Sequence, residues 1–184
     1  MPDGISLEDE LALAGRLADA AWSAIRPHFR ALNAVDNKAQ ELAPSTGRPK
    51  PSAAPAIPAS PNFDPVTEGD RAAERAIRAI LQAERPHHGV TGEEYPETPT
   101  ASGYRWLIDP IDGTRAFVAG LPVWTTLISL VGPDDVPIIG IIDQPVIGER
   151  YIGWPGGAEL HTSGARTPIH VSACNDLRRA TIAT

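Results

Sequence analysis

Between residues 6 and 32, apolar side chains return every three or four positions, at Leu7, Leu11, Ala14, Ala18, Ala21 or Trp22, Ile25, Phe29 and Leu32. That is the period of an amphipathic helix. Ser6 with Asp9 can cap its start, and Pro27 lacks the amide donor a helix interior needs, so the last turns kink or their regular bonding ends there. A second helical pattern runs through Ala73, Ile77, Ile80 and Leu81, opened by Thr67 with Asp70 three residues on as a capping pair. Beyond it the pattern turns to β. Residues 88–92 read as a short strand entering a turn, and 106–108 as a buried strand. Residues 125–131, 137–143 and 148–154 are apolar or alternating runs separated by turn residues, an antiparallel meander. Gly156-Gly157 and Ser163-Gly164 mark two further turns, and 180–184 reads as the opening of another strand. The expected fold class is α+β, with two long helices packed on a mainly antiparallel sheet.

Between the helices the pattern vanishes. From Asp36 to Asn62 the chain is proline, alanine and serine, with Pro44, Pro49, Pro51, Pro55, Pro58 and Pro61 and almost no large apolar side chain. Such a segment cannot bury enough surface to offset its ordering entropy, so 37–62 is expected to be a flexible insertion. Pro55, Pro58 and Pro61 fall at PxxP spacing, a weak match to a proline-rich ligand beside the insertion reading. A length of 184 residues suits one domain over 1–184. The formal charge of −7, with no basic stripe, argues against nucleic acid as a partner. The single cysteine, Cys174, rules out an internal disulfide and reads as a small buried or half-buried residue in a reducing compartment. The start lacks the basic, apolar make-up of a secretion signal, and no apolar run approaches the roughly 18 residues of a membrane span. A cytoplasmic location and no membrane partner are expected.

Chemistry concentrates at Trp-Leu-Ile-Asp-Pro-Ile-Asp-Gly-Thr-Arg-Ala-Phe, residues 106–117. An apolar strand delivers Asp109 to its end, and Pro110 and Gly113 force the chain out of regular pairing. Asp109 and Asp112 then leave one bend, where the intervening carbonyls can turn toward the same point and form a set of hard oxygen ligands suited to Mg²⁺. If a helical turn starts at Gly113 and Thr114, their amides form an anion site beside that cation site, the pairing a phosphate ester needs. Asp-Pro and Asp-Gly are also ordinary turn dipeptides; the strand before them and Thr114 after them favour the metal and phosphate reading. An acidic protein repels a phosphate unless a bound cation reverses the local sign, so charge and site agree. Asp70 is either a helix-start carboxylate favoured by the dipole or a member of this site. Glu93 and Glu94 are either strand-end ligands or solvated charges. His87 and His88 read as a surface pair, because Mg²⁺ prefers oxygen. Lys38 is a possible phosphate or metal-water contact, or simply a solvated lysine.

The stretch Asp109-Pro110-Ile111-Asp112-Gly113-Thr114 resembles the signature of the inositol monophosphatase family, Mg²⁺-dependent and lithium-sensitive phosphomonoesterases. Thr67-Glu68-Gly69-Asp70 is similar to that family's Thr-x-x-Asp helix start, and Gly92-Glu93-Glu94 to its Gly-Glu-Glu turn. The likeness covers nearly all of the chain outside the proline-rich segment. Residues 113–121 and 142–150 look most like the bacterial histidinol-phosphate phosphatases of the family. Arg115-Ala116-Phe117 stands where inositol monophosphatases proper usually have Thr-Asn-Phe.

The resemblance implies the amino-terminal half of the inositol monophosphatase-like fold. It implies that Glu93, Asp109 and the Ile111 carbonyl hold a first Mg²⁺ and that Asp109 and Asp112 share a second, with two or three ions per site in the complete fold. It also gives Asp70 and Thr114 the orientation of the attacking water, and the Gly113 and Thr114 amides the grip on phosphate. The implied reaction is hydrolysis of L-histidinol phosphate to L-histidinol and phosphate, in histidine biosynthesis, by direct water attack. An inositol or sugar phosphate is the alternative small-molecule phosphomonoester, and a metal-binding module without turnover is the alternative outside enzymes. The family's dimers make a homodimer plausible. Two departures stand out. The Trp-Asp-x-x-Ala motif of the family's second half does not occur, Trp154 being followed by Pro155 and Trp124 by Thr125. The expectation is therefore an amino-terminal half with an incomplete second metal site and weak or no activity alone. The other departure is the insertion between Lys38 and Asp64, where the family usually has a short loop near the site.

Overall fold

The computed structural model describes residues 6–31, 35–37 and 65–181; Lys38 and the expected insertion beyond Asn37 lie outside the described residues. Helix α1 spans Leu7–Ile25, and Ser6 caps it by accepting the Asp9 amide. It stops two residues before Pro27, so of the two outcomes expected there the helix takes the second. Its fully buried face is Leu13, Ala14, Leu17, Ala18, Ala21 and Ile25, with Leu7 and Leu11 at the edge of the core. The buried stripe is thus turned by about one position from the one read off the periodicity. Helix α2, Glu68–Glu84, starts from the expected capping box: the Thr67 amide and hydroxyl both donate to Asp70 Oδ2, at 2.8 and 2.6 Å. Arg85 Nε donates to Glu10 Oε1 at 2.7 Å, joining the end of α2 to the start of α1.

Two short strands, β1 (Val35–Asn37) and β2 (Pro65–Thr67), pair antiparallel just ahead of α2. The main sheet runs in sequence order through seven strands: β3 (Gly89–Gly92), β4 (Arg105–Asp112), β5 (Thr125–Val131), β6 (Pro137–Gln144), β7 (Glu149–Trp154), β8 (Gly157–His161) and β9 (Arg166–Pro168). Only β3 and β4 are parallel; the other neighbours are antiparallel, with the expected meander of β5, β6 and β7 extended by β4 on one side and by β8 and β9 on the other. Helix α1 lies over β5 and β6, and α2 over β4, burying Trp106, Ile108, Ile128, Leu130, Ile139 and Ile141 between the layers. The opposite face carries an apolar groove of about 740 Å³ lined by Leu107, Leu127, Ile142 and Tyr151, with Glu93 and Asp109 among its walls.

Three local expectations need correction. His88 is not on the surface: it is 7 % exposed, stacks on Tyr104, and its Nδ1 accepts the Trp106 indole N–H at 3.1 Å. An aromatic strand neighbour with a donor to satisfy drew it inside. Cys174 is exposed, because the last residues form no strand and lie outside the core. Residues 180 and 181 are not a strand either; a 3₁₀ turn at Leu177–Arg179 precedes them, and 182–184 lie outside the described residues. Among the described residues, no helix is long and apolar enough to cross a membrane.

Candidate metal and phosphate site

The strand expected to end at Asp109 continues to Asp112, and the irregularity lies within it. Asp109 is opposite Leu127 and Asp112 opposite Thr125, so three steps along β4 match two along β5. One residue is extra, a β-bulge. Up to Pro110 the burial alternates, with Trp106, Ile108 and Pro110 toward the helices and Asp109 away from them; then Ile111 is buried and Asp112 exposed. A regular strand would put residues three apart on opposite faces. Here the bulge restores Asp109 and Asp112 to the same side. The Pro110 carbonyl displaced from the ladder is satisfied by the buried Thr126 hydroxyl at 2.7 Å, and the Thr125 hydroxyl reaches Asp112 Oδ2 at 3.4 Å.

Glu93 arrives from the neighbouring strand. Because β3 is parallel to β4 with Gly92 opposite Ile108, Glu93 and Asp109 leave adjacent strands side by side at the same edge. Their carboxyls are hydrogen-bonded, and Asp112 adds a second negative charge. Burial first, then Glu93 and Asp112, push the Asp109 carboxyl up to about 7. The other Asp109 oxygen, Oδ1, is buried with no hydrogen-bond partner. Two paired carboxyls, one buried oxygen in want of a positive neighbour and a third carboxylate on the same side form a donor set that fits a hard divalent cation. Among the described residues, no three acidic, His or Cys side chains already converge on one point. The arrangement is a close pair with a third carboxylate facing it.

The phosphate side is built by Gly113 and helix α3, Thr114–Val118. Gly113 has φ +90°, which turns the chain sharply from β4 into α3. Phe117, on α3, is held by Trp124 and Phe29, with ring centroids 5.2 and 5.4 Å away. The amides opening α3 have no acceptor within the helix. The Thr114 hydroxyl donates to the Ile111 carbonyl at 3.0 Å, so both of those residues sit at the bulge. Asp70 is 1 % exposed, and its Oδ2 is engaged by Thr67. Its turn reaches the site through Gly69, where an added Cβ would stand 3.4 Å from Ile111 Cδ1.

One residue escaped notice in the sequence. Glu74 is fully buried on the apolar face of α2; it accepts the Glu94 amide at 2.7 Å and Arg78 Nε at 2.7 Å. Its signal was a glutamate at helical spacing from Asp70, in line with Ile77 and Leu81.

Comparison with known proteins follows the same lines. The model of the inositol monophosphatase family matches residues 6–184. A histidinol-phosphatase of Mycobacterium tuberculosis is 37 % identical over 177 residues, covering 95 % of this chain and 59 % of its own. A histidinol-phosphatase of Chlorobaculum parvum is 41 % identical over 119 residues, 64 % of this chain and 44 % of its own. Among solved structures, an inositol monophosphatase from Zymomonas mobilis superposes with a TM-score of 0.63 at 37 % identity, covering 92 % of this chain and 55 % of that one. The chain thus spans about half the length of the relatives it matches.

Proposed function

The chain belongs to the inositol monophosphatase family, and from that premise we propose that it is the carboxylate-bearing part of a Mg²⁺-dependent phosphomonoester hydrolase whose substrate is L-histidinol phosphate. The products are L-histidinol and phosphate. The observation that carries this reading is the meeting of Glu93 with Asp109, and of Asp112 on the same side, directly before a tight turn into α3.

Glu93, Asp109 and the Ile111 carbonyl would hold one Mg²⁺, and Asp109 with Asp112 a second. When bound there, the ions lower the pKa of water and neutralise charge on the phosphoryl oxygens. The remaining work falls to the chain itself. The Thr114 hydroxyl spends its proton on the Ile111 carbonyl, leaving its lone pairs to accept a hydrogen from the attacking water and orient it. Asp70 shares this task from the adjoining turn, which its bonds to Thr67 keep in place. The Gly113 and Thr114 amides grip phosphate oxygens, and the left-handed conformation at Gly113 aims them. Arg115-Ala116-Phe117 and the named relatives favour histidinol phosphate. An inositol phosphate is the second reading, supported by the equally identical Zymomonas mobilis structure.

The test is phosphate release from L-histidinol phosphate, inositol 1-phosphate and sugar phosphates, with Mg²⁺ and with chelator, by this chain and by a protein extended to the relatives' full length, the faster release being expected of the extended protein. Release that requires Mg²⁺, is lost in Glu93→Gln and is fastest with L-histidinol phosphate is the expected result. Fastest release from inositol 1-phosphate would replace the substrate. Binding of Mg²⁺ without release from any of these esters, even by a protein extended to the relatives' full length, would reduce the chain to a metal-binding module.

A further inference from the structure

Glu74 is a buried carboxylate with no part in the chemistry above, and burying such a charge costs several kcal/mol unless close partners offset it. Both of its oxygens are engaged. Oε1 accepts Arg78 Nε, and Oε2 accepts the backbone amide of Glu94, which belongs to the peptide joining Glu93 to Glu94. On the other side of Glu93, Gly92 lies flat against the same carboxylate: an added Cβ would stand 2.0 Å from Oε1 and 2.6 Å from Oε2. Only a glycine lets the strand end approach so closely. Arg78 continues the hold downstream, donating to the Thr98 hydroxyl at 3.0 Å and the Tyr95 carbonyl at 3.3 Å. The backbone on each side of Glu93 is therefore fixed by one helical side chain, while the Glu93 side chain itself is exposed.

We infer that Glu74 is a positioning residue: it locks the 92–94 turn so that the Glu93 carboxylate meets Asp109, and thereby sets the affinity of the site for a divalent cation. A hydrogen bond from an amide to a charged acceptor is stronger and more directional than an apolar contact, which suits a group that must aim another. The inference rests on the reading of Glu93 and Asp109 as cation ligands. It adds that the ligand geometry is imposed from α2, one turn beyond Asp70.

The experiment measures Mn²⁺ binding by electron paramagnetic resonance, together with thermal unfolding, on the whole chain and four variants. Glu93→Gln removes a ligand; Glu74→Ala removes the hold; Gly92→Ala keeps every ligand and Glu74 but drives a methyl into its carboxylate. Glu74→Gln restores an acceptor for the Glu94 amide. Expected are loss of binding in Glu93→Gln, a weakening of about 10–100-fold in Glu74→Ala and Gly92→Ala, the range for groups that orient metal ligands, and recovery of most of that affinity in Glu74→Gln. Binding equal to the parent in Glu74→Ala and Gly92→Ala, with only a lower melting temperature, would overturn the inference and leave a purely structural ion pair. Equal binding by the parent and Glu93→Gln, or none by the parent, would instead sink the cation site itself. If Glu74→Ala does not fold, Gly92→Ala and Glu74→Gln still decide the matter by the same readout.

Discussion

Replacing Gly113 with alanine isolates the contribution of one backbone turn to the phosphate side of the site. At φ +90° and ψ 38°, an L side chain lies in the left-handed region, a cost of about 1–2 kcal/mol. The added Cβ would also stand 3.3 Å from the Val123 carbonyl oxygen and 3.4 Å from Trp124 Cα, contacts that oblige the strand approach to shift by a few tenths of an ångström. Together these predict a loss of about 2 kcal/mol, or about 4–8 °C in Tm for a protein of this size. Circular dichroism melts measure it. Asparagine, which tolerates this region, is expected to recover about half of the loss. Gly153 provides the control, since a Cβ there meets nothing within 4 Å. On the proposed function this turn aims the Gly113 and Thr114 amides, so in a protein extended to the relatives' full length the alanine variant should also lose phosphate release in excess of its loss of folded fraction at the assay temperature. Melting within 1 °C of the parent would refute the assigned conformation, and a loss as large in Gly153→Ala would refute its site specificity.

Other perturbations test other joints. Arg85→Met strands the Glu10 carboxylate, 2 % exposed, and should cost about 3–5 kcal/mol in urea unfolding, whereas adding Glu10→Leu should recover much of it. His88 is held well below its ordinary value, at about 4, by burial first and then by Arg85 and His87. The folded state therefore resists its protonation, and the contribution is complete above pH 6.5 and declines as pH falls toward 4. At pH 4.5 the parent should have lost about 2–3 kcal/mol that His88→Phe does not lose, read as the difference between their urea midpoints at pH 7 and 4.5. Phe117→Ala removes the ring packed on Trp124 and Phe29 and should cost about 3–5 kcal/mol; α3 carries only this buried side chain. On the proposed function, Asp112→Asn in a protein extended to the relatives' full length should lower phosphate release at low Mg²⁺ by at least about tenfold, and less at saturating Mg²⁺.

Periodicity located both long helices and β5, β6 and β7, because a face buried against one layer writes a regular pattern into the chain; β8 and β9 were marked only by the turns beside them. What it did not show were features set by partners distant in sequence. The parallel pairing of β3 with β4 brings Glu93 beside Asp109, yet nothing in the 88–94 stretch states its direction. The bulge that puts Asp112 on the same side as Asp109 comes from counting residues across two strands. His88 read as polar surface until Trp106 supplied an indole N–H for it to accept. Glu74 drew no reading from the sequence, and its burial follows only once Arg78 and the Glu94 amide surround it. The chemical signal was more local. Asp109, Asp112, Gly113 and Thr114 lie within six residues, so the motif was legible before any fold was known, while the reach to Glu93 needed the sheet.

The most direct test of the cation site is anomalous diffraction from crystals of this chain soaked in Mn²⁺. The account predicts a peak bonded to the Glu93 and Asp109 carboxylates and the Ile111 carbonyl. Peaks only elsewhere on the surface, with Glu93 and Asp109 still hydrogen-bonded to each other, would contradict it.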